Sequence, residues 1–212
     1  MIMKNLLFLF SITFLLTACE KGKSVTEKNS AKTDSAEWKP VDSTVATKAW
    51  MEYATPGEMH KTLASYDGNW TGVTSTWMEN GAKPEISQSE CTNKMIFDGR
   101  YQHSTYKGSF MGMPFEGMSI MGYDNAKKKF VSTWIDNMGT GIMHAEGDWN
   151  PAQKSIELKG KMTDPARPGK DCDFREVYTF TDANNHVMEM YGPDSKTGKE
   201  YKTMEIKFTR KN

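Results

Sequence analysis

The chain has 212 residues and equal numbers of basic and acidic side chains, 27 of each, scattered rather than grouped. No basic stripe argues for nucleic acid as a partner, and no acidic tail argues for a cationic one. Its length suits one domain with a sizeable core plus a tail, and its 16 methionines are the one oddity of composition.

The first element is an export signal. Lys4 precedes an apolar run from Leu6 to Leu16 (LLFLFSITFLL) that suits a signal-peptide core and falls short of the ~20 residues a membrane-spanning helix needs. The run closes on Leu16-Thr17-Ala18-Cys19, which resembles the bacterial lipobox, where small residues admit the peptidase and the thiol receives diacylglycerol. Residues 1–18 therefore read as a signal peptide. Cys19 reads as the lipid-modified N-terminus, with acyl chains holding the protein at the membrane of a bacterial cell envelope. Glu20 in place of aspartate points, by the usual sorting pattern, to the outer membrane. Residues 19–41 carry Lys, Ser, Thr, Glu and Asp with almost nothing apolar, which is a flexible tether. Residues 42–212 form the folded domain.

Two short helices open that domain. Asp42 caps one reaching Tyr53. Thr55-Pro56-Gly57-Glu58 has the form of a capping box with proline at the first helical position, and opens a second helix that sets Met59 and Leu63 on one face. From Asn69 the hydrophobic period changes to two. Strands are predicted over 69–78, 86–97, 100–110, 114–124, 129–138, 141–149, 155–163, 173–181, 186–192 and 200–210. Tight turns such as Asp98-Gly99, Met111-Gly112 and Gly139-Thr140 separate them. Ten strands in an up-and-down meander close into a barrel to remove their edges.

Following the turns from hairpin to hairpin sorts residues onto two faces. Met95, Phe97, Tyr106, Phe110, Phe115, Met121, Tyr123, Phe130, Trp134, Met143, Trp149, Ile156 and Leu158 collect on one, the expected interior. His103, Lys107, Glu116, Thr133, His144, Glu146 and Asp148 collect on the other. A three-residue loop at Gly139-Thr140-Gly141 would flip that parity and turn His144 and Glu146 inward. Lys107 and Glu116 should pair outside, and Trp134 should lie inside near Tyr106 or Met121. Cys91 and Cys172, on strands across the ring from each other, are expected as two unpaired thiols.

The stretches Met111-Gly112-Met113-Pro114-Phe115-Glu116-Gly117, Gly122-Tyr123-Asp124-Asn125, Ser132-Thr133-Trp134-Ile135-Asp136 and Arg175-Glu176-Val177-Tyr178 resemble, in order, a bacterial family known as domain of unknown function 1579. Thr55 to His60 and Lys202 to Ile206 fit the same pattern, so the resemblance covers about 42–211. It implies a lipocalin-like (calycin) barrel and no assigned activity. Gly68-Asn69-Trp70 also resembles the Gly-x-Trp that opens the first lipocalin strand, with Arg210 as the cation over that tryptophan. True lipocalins have eight strands, two fewer than here.

The candidate ligand-lining set is Tyr106, Phe115, Met121, Tyr123, Trp134, Asp136, Met143, Glu176 and Tyr178. Asp136 sits on the apolar face beside Trp134, and an inward carboxylate is costly unless paired. It and Glu176 are either structural partners of Arg100, Arg175 or a tyrosine, or polar anchors for a ligand. His60 reads as a capping or packing residue, and His186 as a surface residue beside a turn. Histidines and methionines are spread over many strands, and neither a metal nor a cofactor is implied. Three functions stay open: binding a small, largely apolar ligand in the barrel; a filled barrel serving structure or protein interaction; and a hydrolase-type enzyme using Asp136 or Glu176 as general base.

Overall fold

The computed structural model describes residues 38–211; the leader, Cys19 and nearly all of the tether lie outside the described residues. Helix α1 (Ser43–Ala54) is capped by Asp42, whose Oδ1 accepts from the amides of Thr44 and Val45 at 2.9 and 3.2 Å. Helix α2 (Glu58–Ala64) starts later than the proline signal predicts, with Gly57 as its cap. The Gly57 amide donates to His60 Nδ1 at 3.0 Å, so His60 takes the place a glutamate holds in a capping box.

Ten antiparallel strands follow: β1 (Gly68–Thr76), β2 (Glu85–Ile96), β3 (Tyr101–Phe110), β4 (Met113–Asp124), β5 (Lys129–Asp136), β6 (Met143–Asn150), β7 (Ser155–Thr163), β8 (Asp171–Asp182), β9 (Asn185–Pro193) and β10 (Glu200–Arg210). Each pairs with its neighbours in sequence, and β1 pairs with β10 from Trp70↔Arg210 to Thr76↔Met204, closing the ring. The predicted registers hold: Met95 faces Gln102, Cys91 faces Tyr106, Gly108 faces Phe115 and Trp134 faces Met143.

Two turns differ from expectation without changing parity. Phe97, Asp98 and Gly99 all take left-handed φ (50°, 55° and 81°), so the β2–β3 connection is a four-residue turn ending at Arg100. Phe97 is lifted out of the interior where the strand pattern places it, and is 71% exposed. The β5–β6 connection spans residues 137–142 instead of Gly139-Thr140 alone. Asp136 Oδ1 accepts from the amides of Met138 and Gly139 at 2.9 and 3.1 Å and ends β5 two residues early. The loop has an even number of residues, so Met143 still points inward and His144 outward.

One end of the barrel is plugged. Leu63 of α2 packs with Met121, Phe130, Ile156, Leu158, Phe174 and Phe180, and each fully enclosed side chain there contributes about 2–3 kcal/mol of transfer free energy. Gln102 Nε2 donates to the Leu63 carbonyl at 2.7 Å and to Asp67 Oδ1 at 3.0 Å, which fixes the plug to the wall. Arg210 completes the seal. Its guanidinium lies 4.2 Å from the Trp70 ring centre and donates to the carbonyls of Ser65, Asp67 and Ala183. On the outer wall Lys107 and Glu116 stand opposite each other and pair at 3.4 Å, an exposed contact worth less than about 1 kcal/mol. Cys91 and Cys172, on β2 and β8, are both free.

Candidate ligand-binding interior

Alternation along each strand aims one residue in two at the barrel axis, and burial along those inward positions is graded. Toward the plugged end they are closed off: Trp70, Phe130, Ile156 and Phe208 are enclosed, as are the small polar residues Ser104, Ser119 and Ser132. Farther from that end the inward residues Tyr106, Phe115, Trp134, Met143, Met162, Met190 and Met204 keep part of their surface accessible, while Phe174 and Ala145 among them are buried. Burial pushes the Tyr106 and Tyr178 hydroxyls well above the ordinary tyrosine range, so protein surrounds both deeply. Both rings nevertheless keep part of their surface accessible.

The candidate residues divide along this gradient. Tyr106, Phe115 and Trp134 form one aromatic group, with Trp134 5.1 Å from Tyr106 in an edge contact and 6.2 Å from Phe115 in a stack. Gly117 makes room for it: a Cβ there would lie 2.5 Å from Trp134 Cζ2. Trp134 Nε1 donates to Asp136 Oδ2 at 2.6 Å, which orients the indole. The expected arginine or tyrosine partner of Asp136 is thus replaced by an indole and two backbone amides, and that carboxylate is occupied. Met143 faces Trp134 across β5–β6. Met121 and Tyr123 point inward but belong to the plug, where Tyr123 packs 5.1 Å from Phe130 and 6.0 Å from His60.

Glu176 and Tyr178 border that plug: Tyr178 packs against its core, and Glu176 stands opposite Leu158. Glu176 is 9% exposed, and among the described residues its only hydrogen bond comes from the Tyr178 hydroxyl, 3.3 Å from Oε2. Desolvation lifts its carboxyl to about 7, against the lowering effect of the tyrosine. Cys91, pushed to about 12 by burial, lies near Tyr106 and donates to Asn93 Oδ1 at 3.1 Å. The alternation that pairs Cys91 with Tyr106 marks it as inward, a signal the aromatic pattern overshadowed.

His186 is a correction. It is 6% exposed, 4.4 Å from the Trp70 ring and stacked 4.6 Å from Phe208, and Nδ1 is buried without a partner. Burial first, then Arg210, lowers its pKa to about 4, so it is neutral. It shares the inward parity of Met188, which the neighbouring turn disguised. His60, also lowered first by burial, packs in the plug as a capping residue.

Two surface grooves lie outside the barrel. One of about 510 Å³ runs between Trp50 and Tyr53 of α1 and Tyr101, Ile120 and Val131 on the outer wall. The other, about 740 Å³, is lined by charged residues of β5 to β7 such as Lys129, Glu146 and Lys159. Neither was legible in the sequence. Among the described residues no helix is long and apolar enough to cross a membrane.

A closed antiparallel meander, plugged by a helix at one end, defines a lipocalin-like barrel. In fold it is similar to an S-type phycobiliprotein lyase from Guillardia theta, with a TM-score of 0.52 and 9% identity over 77% of this chain and 97% of that one. Residues 55–210 match the family described as protein of unknown function (DUF1579), and the chain belongs to that family. No curated protein matches it.

Proposed function

We propose that this is a cell-envelope lipoprotein, anchored through acylated Cys19, whose barrel takes up a small, largely apolar ligand through its open end. The observation that carries the reading is the accessible ring of Tyr106, Phe115, Trp134, Met143, Tyr178 and Met190 inside an otherwise packed barrel. Aromatic and thioether side chains adapt to a varied apolar surface, and a few polar groups fix orientation. Exposed Met78, Met111, Met138 and Ile142 on connections away from α2, with Met113 beside them at the start of β4, give an apolar ligand a compatible entrance. The likeness to the lyase supports the reading at the level of a shared barrel.

Native mass spectrometry of the protein purified from its own envelope tests the ligand. A bound small molecule is expected, and it should be lost when Met190→Trp fills the interior. A ligand-free barrel that also rejects every apolar dye would overturn the reading. The anchor is tested separately by the mass of the N-terminal peptide, which should carry a diacylglyceryl group on Cys19; an unmodified cysteine would remove the membrane from this function.

A further inference from the structure

The charge inside the barrel is one-sided. Glu176 faces the interior, with Asp136 nearer the mouth, while Arg175 is turned outward to Glu157 and Glu200, and Lys202 to Glu189 and Glu205. Among the described residues the one cation on an inward register is Arg210, and it is committed to Trp70 and three carbonyls at the plugged end. The inward histidine, His186, is neutral near pH 7. A carboxylate with no cation is an incomplete arrangement, because a buried charge is stable only when something of opposite sign meets it. Nine-tenths buried, Glu176 has a second oxygen that meets no donor among the described residues. Tyr106 feels the charge of Glu176 and makes an edge contact with Trp134, 5.1 Å between ring centres, which links the carboxylate to the aromatic group.

Resting on the cavity proposed above, we infer that the barrel is selective for an organic cation with an apolar or aromatic body. Its protonated amine or quaternary ammonium group meets Glu176, and its body lies against Tyr106, Trp134 and Phe115. Aromatic faces attract a cation through their negative π-surface, and the low-polarity wall strengthens both contacts. The same interior rejects an anionic amphiphile, which would bring a second negative charge beside Glu176 with nothing to neutralise it. The groups nearest Glu176 are Tyr178 on its own strand and Tyr106 from β3, with Leu158 and Met190 opposite it on the flanking strands; none of these is charged at neutral pH, and neither is Cys91 beside the two tyrosines. Because the carboxyl titrates near 7, occupation by a fixed cation should drive off its proton and strengthen as pH rises through that value.

Three probes of one shape test this: (naphthalen-2-ylmethyl)trimethylammonium, 2-naphthylmethanol and 2-naphthoate. They are titrated by calorimetry into the full-length chain in phosphatidylcholine nanodiscs, with empty nanodiscs as the blank. At pH 8 the cation should bind at least about 10-fold more tightly than the alcohol, and the anion more weakly than either. Its affinity should rise several-fold from pH 6 to 8, the alcohol's not at all. In Glu176→Gln the cation should fall to the level of the alcohol and lose its pH dependence, while the alcohol binds as before and the circular dichroism spectrum stays that of a barrel. Equal binding of cation and alcohol, preference for the anion, or an unchanged order in Glu176→Gln overturns the inference and leaves the cavity standing. Failure of all three probes to bind the folded protein removes the cavity itself.

Discussion

Replacing Glu176 by glutamine should stabilise the ligand-free protein, and only above a defined pH. The unfolded chain ionises a glutamate at 4.5, whereas the folded barrel holds its proton up to about 7. Between those values the folded state carries a proton the unfolded state has lost, so stability falls as pH rises, and the loss levels off above 7. A difference of that size is worth on the order of 3 kcal/mol, since each tenfold change in proton affinity is about 1.4 kcal/mol. Glutamine keeps the shape and an oxygen for the Tyr178 hydroxyl but cannot ionise. In urea titrations at pH 4, 5.5, 7 and 8.5, the two proteins should differ little at the acid end. The variant should pull ahead by roughly 3 kcal/mol at pH 8.5, a midpoint shift of about 1–2 M. The other titrating groups are common to both proteins and cancel in the difference. A gap of constant size across the series would refute the reasoning, because it would place the carboxylate in water or beside an unseen cation.

Three further outcomes are expected. His186, lowered from 6.5 to about 4, is neutral in the fold, so acid stability should be lost as pH falls from 6.5 toward 4; His186→Phe should flatten that loss, and an equal loss in the variant, read as thermal midpoints at pH 7 and 4.5, would contradict it. Arg210→Met removes three carbonyl contacts and the cation over Trp70, and should cost about 2–4 kcal/mol in urea unfolding; a change under about 0.5 kcal/mol would mean the seal is not held there. Gly117→Ala puts a methyl group into the Trp134 ring and should cost about 1–3 kcal/mol with an altered near-ultraviolet circular dichroism band; an unchanged spectrum would place the indole elsewhere.

How far the fold could be read depended on which interactions are local. Strand faces follow from alternation, and alternation survives any connection that adds an even number of residues, so Trp134 and Met143 were placed correctly although the loop between them is longer than read. Phe97 failed because its conformation is set by three left-handed residues in a row, a choice the strand pattern does not encode. Pro56 pointed to a helix start two residues early because His60 could substitute for the usual acidic cap partner. Among site residues, Trp134 and Glu176 were legible as inward side chains in apolar alternation. What could not be read was depth along the axis. Met121 and Tyr123 share their parity with Phe115, and only the position of α2 decides that they belong to the plug. His186 was missed for the same reason, since its burial comes from Trp70 and Phe208, residues distant in sequence.

The pairing of β1 with β10 also governs how the molecule is made. Thr71 finds its partner in Thr209, almost the whole domain away, and the Trp70 seal waits on Arg210, later still. Contacts of such long sequence separation are slow to form, because the loop they close must be ordered first. Until the final strand arrives, every earlier intermediate is an open sheet with two unpaired edges and an uncovered tryptophan, the kind of species that aggregates. A chain cut short before Glu200 would keep those edges permanently. The export proposed above gives this lateness a use, because a barrel that cannot close before its last residues are available stays unfolded while it is threaded through a membrane.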